Sequence, residues 1–321
     1  MSDLELCYLP ATEAIKHFKA KTLSPVELLE ALIRRSEEVD PVINAFTYRH
    51  FDEAMANAKK AEAKYASGKR TRALEGLPIG IKDENFIKGK PTSSGSLIMK
   101  DFVADTTSVG NERILRAGGI VHARTATPEF SSAGYTNSRL WGVTRNPWNP
   151  EFTPGGSSGG SAASLAAGTS AIATGSDIGG SIRIPAGTCG LVGYKPPYGR
   201  NSDDPPFNLD FYCHTGPLAR NVSDAILLQN VMCGPHPKDM ASLRPKLRLP
   251  SGYPPIKDWK IAFSMDLGFF EVDPDVQRNT LKALDVFRDL GATVVEVESG
   301  WDHRVLDAGM AYLSHFFGAY M

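Results

Sequence analysis

The sequence predicts an α/β fold with a substantially parallel sheet. Short apolar runs that end in loop residues alternate with longer stretches of helical period. Glycines close the helices, and small-residue or β-branched strands follow at once. That alternation, sustained from residue 77 onward, is the pattern of strands joined by helical crossovers. In such folds functional groups gather beyond the carboxyl ends of strands.

Taken in order, Ser24-Pro25-Val26-Glu27 reads as a helix start: a capping serine, a proline at the first helical position and a glutamate three residues after the cap. Leu28, Leu29, Leu32 and Ile33 then share a face through Glu38. A second helix fits 52–65 and stops at Ser67-Gly68. Both read as packing elements. The run Leu77-Pro78-Ile79-Gly80-Ile81 reads as a short buried strand that delivers Lys82 to its end. A helix over 111–117, closed by Gly118-Gly119, leads to the strand Ile120-Val121-His122-Ala123. Residues 161–167 form a small-residue helix closed by Gly168, and Ser170-Ala171-Ile172-Ala173-Thr174 a tightly packed strand. The segments 205–206 and 235–255 are proline-rich, and the second reads equally as a linker or a surface loop. A further αβ unit follows: strand 259–263, a helix over 273–290 capped by Gly291, strand 293–297, then a helical stretch 305–317.

Bulk properties exclude several classes. With 321 residues the chain can bury a substantial core. The net charge of -1 gives no global attraction to nucleic acid or anionic membranes. No stretch approaches the roughly 20 apolar residues of a membrane span. The acidic N-terminus lacks the basic-then-apolar order of a secretory signal. Cys7, Cys189, Cys213 and Cys233 are widely separated, which disfavours a zinc or disulfide framework and makes a reducing cytoplasm the default location. The seven histidines form no short-range ligand pair, so no metal is implied.

The chemistry concentrates in two Gly-Ser clusters and one lysine. Gly155-Gly156-Ser157-Ser158-Gly159-Gly160-Ser161 reads either as a flexible linker or as an anion-binding loop opening onto a helix N-terminus. It also matches G-x-S-x-G, but Asn146-Pro147-Trp148-Asn149-Pro150 makes a poor strand before the serine, and no histidine stands in a recognisable context. The second cluster, Asp177-Ile178-Gly179-Gly180-Ser181, leaves a small-residue strand, so backbone N–H groups can converge beside the Ser181 hydroxyl. Its plain reading is a tight turn. Lys82 is either a solvated surface charge or, given Ile79, Ile81 and Phe86 around it, a desolvated amine able to act as a base. No S-x-x-K pairing exists, so any link to a serine must arise through the fold.

The stretch 76–199 resembles the amidase signature family of serine hydrolases. The resemblance rests on Gly76-Leu77-Pro78-Ile79-Gly80-Ile81-Lys82-Asp83, Trp141-Gly142-Val143-Thr144-Arg145-Asn146-Pro147-Trp148-Asn149, both Gly-Ser clusters, and Cys189-Gly190-Leu191-Val192-Gly193-Tyr194-Lys195-Pro196. It implies a mixed, largely parallel sheet covered by helices on both faces, in a single domain over 1–321. That domain would comprise an N-terminal helical part (1–75), a catalytic core (76–200) and an incomplete C-terminal αβ part (201–321). It further implies a triad in which Ser181 attacks the carbonyl carbon, Ser157, on a cis peptide after Gly156, relays the proton, and Lys82 is the base. Backbone N–H groups of Ile178, Gly179, Gly180 and Ser181 would hold the oxyanion. Ser158 would support the relay, Asp177 and Arg183 would pair to fix the nucleophile loop, and Cys189 would be structural. The expected activity is hydrolysis of a small-molecule carboxamide, ester or carbamate, without cofactor, nucleic acid or membrane, with a homodimer as one option for assembly. The rivals are the amidase component of a glutamine-dependent tRNA amidotransferase and an inactive remnant. Members generally extend further, so the C-terminal part is expected to be truncated and to leave Phe316 and Phe317 exposed.

Overall fold

Residues 1–320 are described by a computed structural model. Helices α1 (Asp3–Tyr8), α2 (Ala11–Ala20), α3 (Pro25–Ile43) and α4 (Phe51–Ala66) precede Lys82 and the two Gly-Ser clusters, with strand β1 (Phe46–Arg49) between the last two. The capping box at Ser24 forms as its sequence predicts. Ser24 Oγ accepts from the Val26 N–H at 2.9 Å, and Glu27 Oε2 accepts from the Ser24 N–H at 2.7 Å. Leu28, Leu29 and Leu32 are buried on the inner face.

Helix α3 overruns its expected end at Glu38 and carries Pro41 within its last turn. Tertiary contacts hold that turn. Ile43 packs with Ala45, Phe46 and Ala123, and the buried Asp40 carboxylate accepts from the Ala45 N–H at 2.7 Å and from Arg49 at 2.5 Å. Asn44, at φ 54°, then closes the helix in the left-handed region that asparagine tolerates.

The following elements alternate as expected: β2 (Pro78–Lys82), α5 (Val109–Arg116), β3 (Ile120–Thr125), a small antiparallel ribbon of β4 (Asn137–Ser138) and β5 (Gly142–Val143), α6 (Gly159–Ala166), β6 (Ile172–Asp177), α7 (Arg183–Cys189), β7 (Val192–Gly193), β8 (His214–Ala219) and α8 (Val222–Met232). The main sheet has the order β1-β3-β2-β6-β8-β7. Its central strands β3, β2 and β6 are parallel, while β1 and β8 run against them and β7 against β8. The sheet is therefore mixed around a parallel centre, and strands β2 and β6 are buried at every position, as a two-sided covering requires.

The tract 155–161 is packed, not a linker. Gly160 donates its N–H to the Ala126 carbonyl at 3.0 Å, and a Cβ there would lie 2.7 Å from the carbonyl oxygens of both Ala126 and Ala45. Those are backbone atoms that cannot swing aside. Gly160→Ala is accordingly expected to cost about 1–3 kcal/mol, the usual range for overpacking, measured as a lowered urea midpoint with unchanged slope.

The chain divides into two compact units, Met1–Leu249 and Pro250–Met321. The division falls inside the proline-rich 235–255 segment, whose first part lies on the first unit: the Leu243 N–H donates to the Gly199 carbonyl at 2.8 Å and the Leu249 N–H to Asn230 Oδ1 at 2.8 Å. In the second unit, β9 (Lys260–Phe263) pairs in parallel with β10 (Thr293–Glu296) across helix α9 (Pro274–Asp289). Asp273 caps α9, its Oδ1 accepting from the Asp275 N–H at 2.7 Å. The last helix, α10 (Arg304–Tyr320), leaves Val305, Leu306 and Met310 exposed. Phe316 and Phe317, expected to be exposed, are half-buried and pack edge to face at 5.3 Å. Among the described residues no helix is long and apolar enough to cross a membrane.

Candidate active site

Parallel pairing of β2 with β6 places Gly80 beside Ala173 and brings both strands to an end at the same edge. The Lys82 N–H donates to Thr174 Oγ1 at 3.2 Å, which fixes the start of its side chain. From there the lysine turns inward and is fully buried, at 0 % exposure. Its Nζ donates to Ser157 Oγ at 2.7 Å and to Ser176 Oγ at 2.8 Å, and lies 3.3 Å from Glu84 Oε2. Burial pushes the Lys82 pKa below its ordinary value, while the Glu84 carboxylate pulls the other way.

Ser157 follows a cis Gly156–Ser157 bond. Close packing positions that loop. A Cβ on Gly156 would lie 2.6 Å from the Tyr135 backbone nitrogen, and Thr136 Oγ1 donates to the Gly155 carbonyl at 2.9 Å while accepting from the Gly159 N–H at 3.1 Å. Ser158 ties the loop to β6, accepting from the Ser176 N–H at 3.3 Å and donating to the Ser176 carbonyl at 3.4 Å. Among the described residues no strand lies between β5 and Ser157, so the G-x-S-x-G elbow lacks its strand. Ser157 is hydrogen-bonded to the lysine, and His214, on β8, turns its Nε2 to the Phe211 carbonyl at 3.0 Å.

Ser181 sits on the loop that leaves β6. Its carbonyl accepts from the Ser158 N–H at 3.2 Å, which couples the two Gly-Ser clusters directly. Asp177 knots this loop. Its carboxylate accepts from Arg183 Nε and Nη2, each at 2.9 Å, and from the N–H groups of Gly180 (2.7 Å), Ile182 (3.2 Å) and Arg183 (3.3 Å). Lys195 Nζ stands 3.4 Å away. Burial by itself would raise the Asp177 pKa, but the Arg183 bonds, the Lys195 charge and the Gly180 N–H together bring it down to about 2.

That knot changes the expected oxyanion set. The Gly180 N–H is committed to Asp177, because a charged carboxylate is the stronger acceptor. The N–H groups of Ile178, Gly179 and Ser181 have no acceptor among the described residues. Cys189 is buried, its thiol pushed up to about 11, and it contacts the Pro154 carbonyl at 3.6 Å, as a structural cysteine would.

Three groups at the lysine were not anticipated: Thr174, Ser176 and Glu84. Thr174 and Ser176 are two residues apart on β6, so both face Lys82, and strand alternation in the Ala173-Thr174-Gly175-Ser176 run was the available signal. Glu84 lies two residues beyond Lys82, on a turn after β2, where no periodicity announces its direction.

A family model described as Amidase matches residues 27–320. An acylamidase of Rhodococcus erythropolis is 35% identical over 307 residues, covering 94% of this chain and 64% of its own length. The A-subunit of a glutamyl-tRNA(Gln) amidotransferase from Anaeromyxobacter sp. (strain K) is 37% identical over 318 residues, covering 96% of this chain and 63% of its own length. The crystal structure of a bacterial aryl acylamidase of the amidase signature family superposes with a TM-score of 0.86 at 33% identity, covering 94% of this chain and 64% of that one. The chain thus spans less than two thirds of the length of these relatives.

Proposed function

Because the chain belongs to the amidase family of hydrolases, we propose that it cleaves the C–N bond of a small carboxamide, with esters and carbamates as related substrates, through an acyl-enzyme on Ser181. The observation that carries this reading is the buried Lys82 amine 2.7 Å from Ser157 Oγ. A desolvated lysine gives up its proton more readily than a solvated one, which suits Lys82 to act as a base. In the proposed sequence Ser181 Oγ bonds to the carbonyl carbon and its proton passes to Ser157 Oγ, whose own proton passes to Lys82 Nζ. The oxyanion is held by the N–H groups of Ile178, Gly179 and Ser181. Collapse expels the amine, which takes the proton back along the relay. Water then attacks the ester by the same path, releasing the acid and restoring Ser181.

Asp177 and Arg183 set the shape of the nucleophile loop, and Ser158 and Ser176 hold the relay to β6. The reaction as written needs no cofactor. We place the protein in a reducing cytoplasm, a location supported by four free cysteines.

A second reading is favoured by one finding, the similarity to an amidotransferase component at 37% identity. A panel of aryl and alkyl amides, esters and carbamates, run beside glutamine with and without partner proteins, separates the two. Turnover of a simple amide by the purified chain is the expected result. Ammonia release from glutamine that requires partner proteins would transfer the assignment to the amidotransferase reading. An inactive remnant would turn over none of them.

A further inference from the structure

Lys82 Nζ has three neighbours, as many as an ammonium has protons: Ser157 Oγ, Ser176 Oγ and Glu84 Oε2. Two are neutral hydroxyls. The third is a carboxylate 3.3 Å away whose side chain is 19% exposed, at the edge of an otherwise buried site. Glu84 is itself held from the far side. Ser131 Oγ donates to Glu84 Oε2, and Ser131 in turn bonds Thr127 Oγ1 at 2.8 Å. Ser131 and its neighbour Phe130 adopt positive φ, 57° and 50°, so that loop is bent to present the hydroxyl.

We propose that Glu84 is a positioning residue of the base: its carboxylate stabilises the ammonium formed when Lys82 takes the proton from Ser157, and so sets the pH at which the relay is ready. This rests on the amidase reading for its consequence in catalysis, but not for its electrostatics. Neutral Lys82 accepts one proton and becomes an ion pair with Glu84, and the pair separates again when the proton returns to the leaving amine. No group other than those already named is needed. The other charged or titratable groups that face this pair are Asp177 at the end of β6, Cys213 just before β8, Asp203 in the preceding loop and Arg124 on β3. Among the described residues, Glu84 is the carboxylate within ion-pair distance of the Lys82 amine.

The sign follows from the charge. An opposite charge within about 4–6 Å favours the ionised form by about 1–3 pH units. Removing it lowers the Lys82 midpoint, so neutral amine persists to lower pH and the acid limb of activity moves downward. Meanwhile the ammonium loses its partner, so the plateau rate falls.

The test compares wild type with Glu84→Gln, which keeps the shape, and Glu84→Asp, which keeps the charge. Lysine 13Cε resonances, with Lys82 assigned by its absence in Lys82→Ala, report the titration without requiring turnover. The expected result is a midpoint about one pH unit or more lower in Glu84→Gln, restored towards wild type in Glu84→Asp. The acid limb of the rate profile should move in the same direction. A midpoint that stays put or rises in Glu84→Gln overturns the proposal, whatever the activity. A midpoint that falls in a protein with no amide turnover leaves Glu84's role standing and removes the amidase reading instead. Circular dichroism on each variant separates these outcomes from unfolding; should Glu84→Gln unfold, Glu84→Ala is titrated in its place, and an unshifted midpoint in a folded Glu84→Ala overturns the proposal.

Discussion

Ser181→Ala is expected to abolish covalent labelling by a fluorophosphonate probe and to lower amide turnover by about ten-thousand-fold or more, the scale seen when a serine nucleophile is deleted. The fold should survive, because the loop is held by groups other than the Ser181 hydroxyl. Its backbone carbonyl keeps the bond from the Ser158 N–H, and the Asp177–Arg183 knot is untouched. Intact-mass analysis of the labelled protein makes the measurement direct. One adduct on wild type and none on the variant assigns the nucleophile. An adduct that persists and maps to Ser157 would restore the G-x-S-x-G reading, although Ser157 is bonded to a lysine and its loop follows no strand.

Lys82→Ala is expected to reduce turnover by about a hundred- to ten-thousand-fold, the contribution of a positioned general base. Labelling should slow in parallel, since Ser157 loses its acceptor at 2.7 Å. Burial lowers the Lys82 pKa from 10.5, so the amine is neutral over a wider range than a solvated lysine. Activity depends on that neutral form. It should therefore fall as pH drops through the Lys82 titration and the amine becomes charged, and the variant's small residual rate should lack this limb. A wild-type profile that stays flat into mildly acid pH, or near-normal turnover by Lys82→Ala, would remove the base assignment.

Several features were legible because their causes are local. Ser24 and Glu27 sit on the same turn, so the capping box follows from their spacing alone. Gly118, at φ 89°, ends α5 because only glycine adopts that conformation without cost. The parallel centre of the sheet followed from helical crossovers between β2, β3 and β6. The antiparallel pairings of β8 did not, since β8 is reached through the long segment 194–213, whose direction no short-range pattern specifies. Helix α3 likewise ran past its expected end because Asp40 and Ile43 found partners elsewhere in the chain.

The sequence by itself determined the residue types of the site: two serines in glycine-rich clusters, a lysine among apolar neighbours, and an aspartate and an arginine flanking the second cluster. It also determined that Lys82 and Ser181 lie at or just beyond the ends of short strands. Only the tertiary structure decided what each one touches. Lys82 and Ser157 are 75 residues apart, and Lys82 and Ser176 are 94 apart, so their meeting depends on strand pairing. The diversion of the Gly180 N–H to Asp177 and the approach of Glu84 to the lysine are settled at the same level. Hydrogen bonds and ion pairs act over a few ångströms, and what lies within that distance in a folded chain is set by sheet register and loop packing.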